Sequence, residues 1–254
     1  MELNKIFNED CLLTMSRMPD KSVDMILQDP PYGITACKWD TNIDLEAFWL
    51  EWKRIIKDNG AIVLFGSQPF TSALVMSNIK MFKYEWIWEK NKPSGMATAK
   101  IHPMKSHENI LVFGTGRINY NPIKSITKSK SSLNNAEKGY INKGNFISEI
   151  NGIKASQNKW NKFVYPRSVV DFDVEPHRKG RLHPTQKPVA LFEYLIKTYT
   201  NEGDLVFDGF MGSGTTAIAC INLKRNFIGS EISAEYCEIA EKRIRPYINQ
   251  MHLV

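Results

Sequence analysis

The sequence has few of the features that mark secreted, zinc-binding or membrane proteins. Four cysteines in 254 residues are scattered without a C-x-x-C pair or a nearby histidine pattern, which argues against a disulfide framework and a zinc site. No run of about 18 apolar residues occurs, and residues 1–10 carry acids where a secretory signal would be basic and then apolar. We therefore expect a cytoplasmic protein that neither spans a membrane nor holds a metal.

Positive charge is present, but it is concentrated in one part of the chain. The formal net charge is +6 and the isoelectric point is about 9.0. Residues 117–181 contain thirteen Lys or Arg against five Asp or Glu, so the remainder is slightly acidic. A local basic surface indicates a polyanionic partner, although a modest lysine excess also occurs in proteins that bind none.

The apolar pattern predicts a wound α/β domain. Short β-prone runs alternate with amphipathic helical patterns, as a mostly parallel sheet requires. From about 118 to 157 the composition changes to Lys, Ser, Asn and Gly, which is typical of an irregular insertion. The predicted strands are 23–28, 61–65, 84–88, 109–113, 205–207 and 227–229; the predicted helices are 45–56, closed by 58–60, then 189–200, 215–223 and 234–248.

A glycine-rich turn between a strand and a helix predicts a cofactor site. Gly212 and Gly214 allow close approach of a ligand to the backbone, and the following helix start favours an anionic group. Glu231 lies about twenty residues further on, where an acid would bind ribose hydroxyls. An adenosine cofactor fits this pattern; a nicotinamide cofactor and a plain capping turn remain open. A dehydrogenase would normally open with this turn, whereas here it nearly ends the chain.

A second segment, Asp29-Pro30-Pro31-Tyr32, follows the predicted strand 23–28 directly. Two prolines stiffen the chain in an extended form and leave the carbonyls of Asp29 and Pro30 unused by a helix. An exocyclic base amine is a poor nucleophile and needs acceptors that orient its protons, while Tyr32 offers a ring on which a flipped base can stack. The simpler interpretation is an ordinary turn after a strand.

Together these segments resemble the beta class of DNA amino-methyltransferases, in which the catalytic tetrapeptide precedes the target-recognition region and the cofactor turn comes last. The resemblance also rests on His183-Pro184-Thr185-Gln186-Lys187-Pro188 and on Gly229-Ser230-Glu231. It implies a Rossmann-like class I methyltransferase sheet, mostly parallel with one antiparallel edge hairpin. The implied domains are a catalytic half (1–117), a small irregular target-recognition insertion (118–176) and a cofactor-binding half (177–254).

The resemblance also implies site residues and the cofactor S-adenosyl-L-methionine. Asp29, Pro30, Pro31 and Tyr32 would be catalytic. Asp10 could equally be a helix N-cap, and His183 could be structural. The implied cofactor contacts are Asp10, Cys11, Asp29, His183, Thr185, Lys187, Asp208, Phe210, Met211, Gly212, Ser213, Gly214, Thr215, Thr216 and Glu231. The implied DNA contacts are Lys90, Asn91, Lys124, Lys128, Lys130 and Arg167.

The function implied is methylation of N6 of a flipped adenine in double-stranded DNA. Methylation of N4 of cytosine is the first alternative, because the leading aspartate favours adenine only imperfectly. A non-catalytic DNA-binding regulator with this fold, a nicotinamide oxidoreductase, and methylation of RNA or protein amides are the others. A homodimer and a restriction endonuclease encoded nearby are candidate partners.

Overall fold

The computed structural model describes residues 1–33, 43–126, 163–174 and 186–251. The chain forms two compact units, one of Met1–Asn121 with Ser168–Val254 and a smaller one of Pro122–Arg167. Within the described ranges, no helix has the length and apolarity needed to cross a bilayer.

The described ranges contain ten strands and six α-helices. The strands are β1 (Lys5–Phe7), β2 (Val23–Gln28), β3 (Ile56–Gly66), β4 (Phe82–Ser94), β5 (Lys105–Phe113), β6 (Ser125–Ile126), β7 (Phe163–Val164), β8 (Val169–Asp171), β9 (Leu205–Asp208) and β10 (Asn226–Ser230). The helices are α1 (Cys11–Ser16), α2 (Leu45–Ile55), α3 (Phe70–Ser77), α4 (Val189–Tyr199), α5 (Thr215–Asn222) and α6 (Ala234–Met251).

The larger unit is built on an eight-stranded sheet in the order β1-β10-β9-β2-β3-β5-β4-β8. Only β5 is antiparallel to its neighbours β3 and β4; the other paired strands are parallel. The predicted mostly parallel sheet with one antiparallel hairpin is therefore confirmed. The hairpin lies one strand inside the edge, because β8 pairs with β4 through Ile87 and Val169.

Helices cover both faces of the sheet, which explains why β2 is almost continuously apolar. Met25 and Leu27 belong to the core that includes α4, α5 and α6, whereas Ile26 belongs to the core that includes α1, α2 and α3. Alternate residues of a strand point to opposite faces, so both faces must be apolar.

Several short elements were not predicted from the sequence. β1 and β8 have three residues each, too few to show a period, and α3 is also short. α1, six residues long, was foreseen only as the turn that Asp10 would cap. The predicted closure of α2 by 58–60 is wrong: β3 begins at Ile56, directly after the helix, and Gly60 lies inside that strand. The strand extends back because Ile56 pairs with Val23 of β2.

The smaller unit has β6 and β7 as its described strands, paired antiparallel. β8 belongs to the main sheet, although its residues fall within the predicted insertion 118–176. The division of the chain into functional domains stays a prediction.

In the larger unit, the carboxyl ends of β1, β10, β9, β2 and β3 meet along one edge of the sheet. Ligands of open parallel sheets bind at this edge, where chain segments separate to either face. Asp10, Asp29, Gly209 and Glu231 all follow or end strands here.

Candidate active site

The segment after β2 brings an acid, two prolines and a tyrosine to the carboxyl edge. Pro30 is buried and Asp29 and Tyr32 are half-buried. The Tyr32 hydroxyl donates to Oδ1 of Asp29 at 2.5 Å, and its ring stacks on Phe70 with centroids 5.3 Å apart. Tyr32 is thus held from two sides, and Asp29 is held by Tyr32.

Lys187, 158 residues from Asp29 in the chain, meets it in the fold. Its Nζ lies 2.5 Å from Oδ2 of Asp29 and 3.3 Å from Oε2 of Glu108. Oε1 of Glu108 lies 3.1 Å from Nζ of Lys90. Asp29, Lys187, Glu108 and Lys90 therefore alternate in charge, and we call these four residues the charge cluster.

Burial and neighbouring charges compete in this cluster. Burial raises the pKa of Asp29 above its ordinary value, Lys187 opposes that rise, and the charge of Glu108 adds to it. Burial alone would raise the pKa of Glu108, but Lys187 and Lys90 lower it below its ordinary value. Burial would lower the pKa of Lys187, yet the two carboxylates raise it. Lys187 is consequently held as a cation between two acids.

The cluster leaves hydrogen-bonding capacity for a substrate. An ionised carboxylate offers about four acceptor positions; Asp29 uses one for Lys187 and one for Tyr32. The ammonium of Lys187 has three N–H donors, of which two face Asp29 and Glu108. The predicted contact of Lys187 with the cofactor stays a prediction; in this structure its partners are protein carboxylates.

The glycine turn between β9 and α5 lies beside this cluster, because β9 is the neighbour of β2. Gly212 and Gly214 have φ values of 52° and 82°, in the left-handed region that favours glycine. Arg243 of α6 donates to the carbonyl of Ser213 at 3.0 Å and to the hydroxyl of Thr215 at 3.1 Å. The turn is therefore fixed from outside.

Some predicted cofactor residues support the turn with their side chains. Asp208 accepts from the amide of Phe210 at 2.9 Å and from the hydroxyl of Thr216, and burial raises its pKa to about 7. Met211 is buried; a Cβ added to Gly229 would lie 2.2 Å from its Cε. These three side chains face protein, so a cofactor would meet their backbone.

Two acids mark the ends of β10 and β1. Glu231 accepts from the amide of Gly212 at 2.8 Å and from that of Ser233 at 2.9 Å, while burial raises its pKa. Asp10 is the N-cap of α1, accepting from the amide of Leu12 at 2.7 Å. The capping alternative for Asp10 is therefore observed, and its contact with adenine stays a prediction. Cys11 is buried beside Gly209.

Two residues of this region were not predicted as site residues. Glu108 lies in β5 and its role depends on partners remote in sequence. Gln28 ends β2; its side chain is fully buried, and neither of its polar atoms has a hydrogen-bond partner in the structure. Its Nε2 would lie 3.0 Å from a Cβ added to Gly209, so it faces the glycine turn. A polar residue directly after the apolar run Met25-Ile26-Leu27 was the available signal.

Four of the predicted DNA contacts lie within the described residues, two in the larger unit and two in the smaller one. Lys90 belongs to the charge cluster, and Oδ1 of Asn91 accepts from the amide of Val174 at 3.0 Å. Lys124 lies over the ring of Tyr165 at 4.6 Å, and Arg167 is exposed. The remaining predicted site residues lie outside the described residues: Lys128, Lys130, His183 and Thr185.

Comparison with known families decides what this arrangement is. Residues 23–242 match the family model for N6/N4 methyltransferases, which is described as DNA methylase. The chain belongs to this DNA methylase family. The resemblance inferred from Asp29-Pro30-Pro31-Tyr32 and the glycine turn is thereby confirmed.

Relatives of this DNA methylase match over most of their length. Type II methyltransferase M1.MboII of Moraxella bovis is 30% identical over 259 residues, covering 93% of this chain and 94% of the relative. DNA adenine methyltransferase YhdJ of Escherichia coli K12 is 31% identical over 260 residues, which cover 96% of this chain and 83% of the relative. The crystal structure of the M1.HpyAVI-SAM complex has a TM-score of 0.62 at 26% identity, and the match covers 94% of this chain and 98% of that one. The fold is that of the class I methyltransferases, and family membership removes the nicotinamide oxidoreductase alternative.

Proposed function

We propose that this DNA methylase transfers a methyl group from S-adenosylmethionine to N6 of an adenine flipped out of double-stranded DNA. The observation that carries the proposal is the position of Asp29. Its carboxylate, stiffened by Pro30 and Pro31 and braced by Tyr32 and Lys187, lies at the end of β2 beside the strand that leads into the glycine turn.

The residues around the glycine turn suit an adenosine cofactor. A Cβ added to Gly209 would lie 2.9 Å from Cβ of Cys11, so the chain passes as close as glycine permits. Glu231 accepts from backbone amides, those of Gly212 and Ser233 among them, and of its about four acceptor positions at least one is left for a ribose hydroxyl. The unpartnered amide of Gln28 faces the same turn. Bound S-adenosylmethionine would supply a methyl group on a good leaving group.

Asp29 and Pro30 orient the amine. The carboxylate of Asp29 and the carbonyl of Pro30 each accept one N–H of the planar NH2 group, which favours a tetrahedral nitrogen with its lone pair directed outward. As the nitrogen forms its bond to the methyl carbon it becomes positively charged and must lose a proton. Asp29, whose pKa is raised by burial, holds that proton before it passes to water.

Two observations favour adenine over cytosine. The catalytic segment begins with aspartate, and a relative matched over 96% of this chain is named a DNA adenine methyltransferase. Nucleoside mass spectrometry of DNA incubated with the protein and S-adenosylmethionine separates N6-methyladenine from N4-methylcytosine. Single-molecule sequencing of DNA from cells expressing the protein then locates the methylated sites.

The Asp29→Ala variant tests the role of the carboxylate. We expect loss of methyl transfer by about 10³-fold or more, with binding of DNA retained. Asp58→Ala is the control, because Asp58 is exposed and pairs with Lys21 away from the site. Full activity of Asp29→Ala would contradict the mechanism. Failure of the wild type to methylate any DNA that it binds would favour the non-catalytic regulator.

The binding partners of the protein and its location in the cell also belong to the proposal. Members of this family act on DNA, so double-stranded DNA is the partner that we propose. A homodimer, a restriction endonuclease encoded nearby and a cytoplasmic location stay predictions. Equilibrium sedimentation tests the first.

A further inference from the structure

The connection between β4 and β5 carries exposed apolar side chains among lysines. Met96 is 75% exposed and Ile101 is 83% exposed. Lys92 and Lys100 are exposed beside them, and residues 90–107 contain no Asp or Glu. We call residues 95–104 the β4–β5 turn.

Internal hydrogen bonds give the β4–β5 turn a defined shape. The amides of Ile101 and His102 donate to the carbonyl of Thr98 at 2.9 and 3.1 Å, and the amide of Thr98 donates to the carbonyl of Gly95 at 3.1 Å. Gly95 has a φ of 89°, which a residue with a side chain rarely adopts. The turn therefore holds Met96 and Ile101 in water instead of letting them fold onto the protein.

The turn leaves the sheet from the catalytic edge. β4 is parallel to β2 and β3, because β5 is antiparallel to both β3 and β4. Lys90 of β4 belongs to the charge cluster that includes Asp29. β4 pairs with β5 at Glu89–His107 and again at Ser94–Lys105, so across this irregular stretch it advances by only two residues of β5, about 7 Å at about 3.3 Å per residue. The turn, which begins at Gly95, therefore starts just beyond the cluster on the same edge of the sheet.

We propose that the β4–β5 turn contacts the target duplex, with Met96 and Ile101 inserted against the base stack next to the flipped nucleotide. This inference rests on the proposed function. Flipping a base exposes the apolar faces of its neighbours, and apolar side chains that fill such a gap offset the cost of unstacking. Lys92 and Lys100, in a stretch (90–107) that contains no Asp or Glu other than Glu89 before it, match the phosphates on either side. The positive charge of these lysines favours DNA as the partner of the turn over a protein surface with few acids or an uncharged surface.

The test compares the Met96→Ser/Ile101→Ser variant on two substrates around a mapped target adenine. One duplex is fully paired; in the other the target adenine faces an abasic site, so that less energy is needed for flipping. On the paired duplex we expect the single-turnover rate to fall about tenfold or more, and on the abasic duplex less than about threefold. Fluorescence of 2-aminopurine at the target position should rise less with the variant than with the wild type.

A matched control removes the same two residue types elsewhere. Met76 in α3 and Ile79 just after it are 69% and 60% exposed, and Met76→Ser/Ile79→Ser should leave both rates unchanged. Urea denaturation should give the same midpoint for all three proteins. Equal losses on both duplexes, or no loss on the paired one while the wild type is active, would overturn the role of the turn and leave the proposed function standing. A wild type inactive on both duplexes would instead overturn the proposed function.

Discussion

The charge cluster connects the carboxylate of Asp29 to a second acid, Glu108, through Lys187. Glu108 has no place in the Asp29-Pro30-Pro31-Tyr32 motif, yet it shares Lys187 with Asp29. Two buried acids around one lysine would leave a net negative charge, and Lys90 neutralises it. Glu108 is therefore a positioning residue, which acts on the reaction through Lys187 and through the charge that Asp29 senses.

Glu108→Gln should move the pH dependence of methylation. The charge of Glu108 raises the pKa of Asp29, so removing that charge lowers it. If Asp29 works as the ionised acceptor, the acid limb of the single-turnover rate moves to lower pH. Rates measured from pH 5 to 9 check this, with the exposed Glu89→Gln as control. An acid limb that stays in place or moves upward would show that Glu108 does not act through Asp29.

Gln28→Met should stabilise the ligand-free protein. A buried amide without partners costs about 1–3 kcal/mol, and methionine has a similar volume without that cost. Urea denaturation without ligand should show a gain of about 1 kcal/mol, while isothermal titration should show weaker binding of S-adenosylmethionine. A loss of stability would indicate that Gln28 is solvated, and unchanged affinity would exclude it from the cofactor site.

Sequence motifs identify residues whose chemistry is local, and miss those whose partners are remote. Asp29 and Tyr32 lie three residues apart, so their contact follows from the motif. Glu108 meets Lys187 only because β5 pairs beside β3 in the sheet. Likewise, Gln28 is notable only because its buried amide has no hydrogen-bond partner in the structure. No periodicity in one sequence encodes either relation.

Among the strands of the main sheet, burial on both sides made β2 predictable, whereas β3, β4 and β5 run for 11, 13 and 9 residues and were each predicted over only part of that length. β2 was predicted with its observed bounds because both of its faces are apolar, and α4, α5 and α6 differ from prediction by at most three residues at one end. α1 was foreseen only as the turn that Asp10 might cap, and β1 was missed, because elements this short are defined by their neighbours. β1 exists because it pairs with β10 at the far end of the chain.

Gly214→Ala tests how tightly α6 fixes the glycine turn. A Cβ at Gly214 would lie 3.2 Å from Cβ of Ala240 and 3.4 Å from Cγ2 of Ile244, both in α6. Gly203 has nearly the same φ, 85° against 82°, but nothing within 4 Å. We expect Gly203→Ala to cost about 1 kcal/mol for the backbone alone and Gly214→Ala about 1–3 kcal/mol more. If both variants lose the same free energy of unfolding in urea, α6 moves aside for the added Cβ at no measurable cost.

Across the whole molecule, the charges at the catalytic site and the excess of positive charge lie in different parts of the sequence. The charge cluster is internally balanced, with two lysines and two acids. The surplus of positive charge lies instead in residues 117–181. Affinity for a polyanion and the chemistry at Asp29 should therefore respond to different substitutions.

The salt dependence of DNA binding measures this surplus directly. Lys124 and Arg167, exposed in the smaller unit, are the described members of the predicted basic surface. Each phosphate contact contributes about 0.9 to the slope of log K against log salt concentration, so Lys124→Ala/Arg167→Ala should reduce that slope by about 2. Lys53→Ala/Lys242→Ala, exposed on α2 and α6, is the control of equal charge. Fluorescence anisotropy from 50 to 200 mM salt, conditions where such slopes are resolved, gives both values. If the two double variants change the slope equally, the attraction comes from net charge, and the predicted contacts of Lys124 and Arg167 with DNA are wrong.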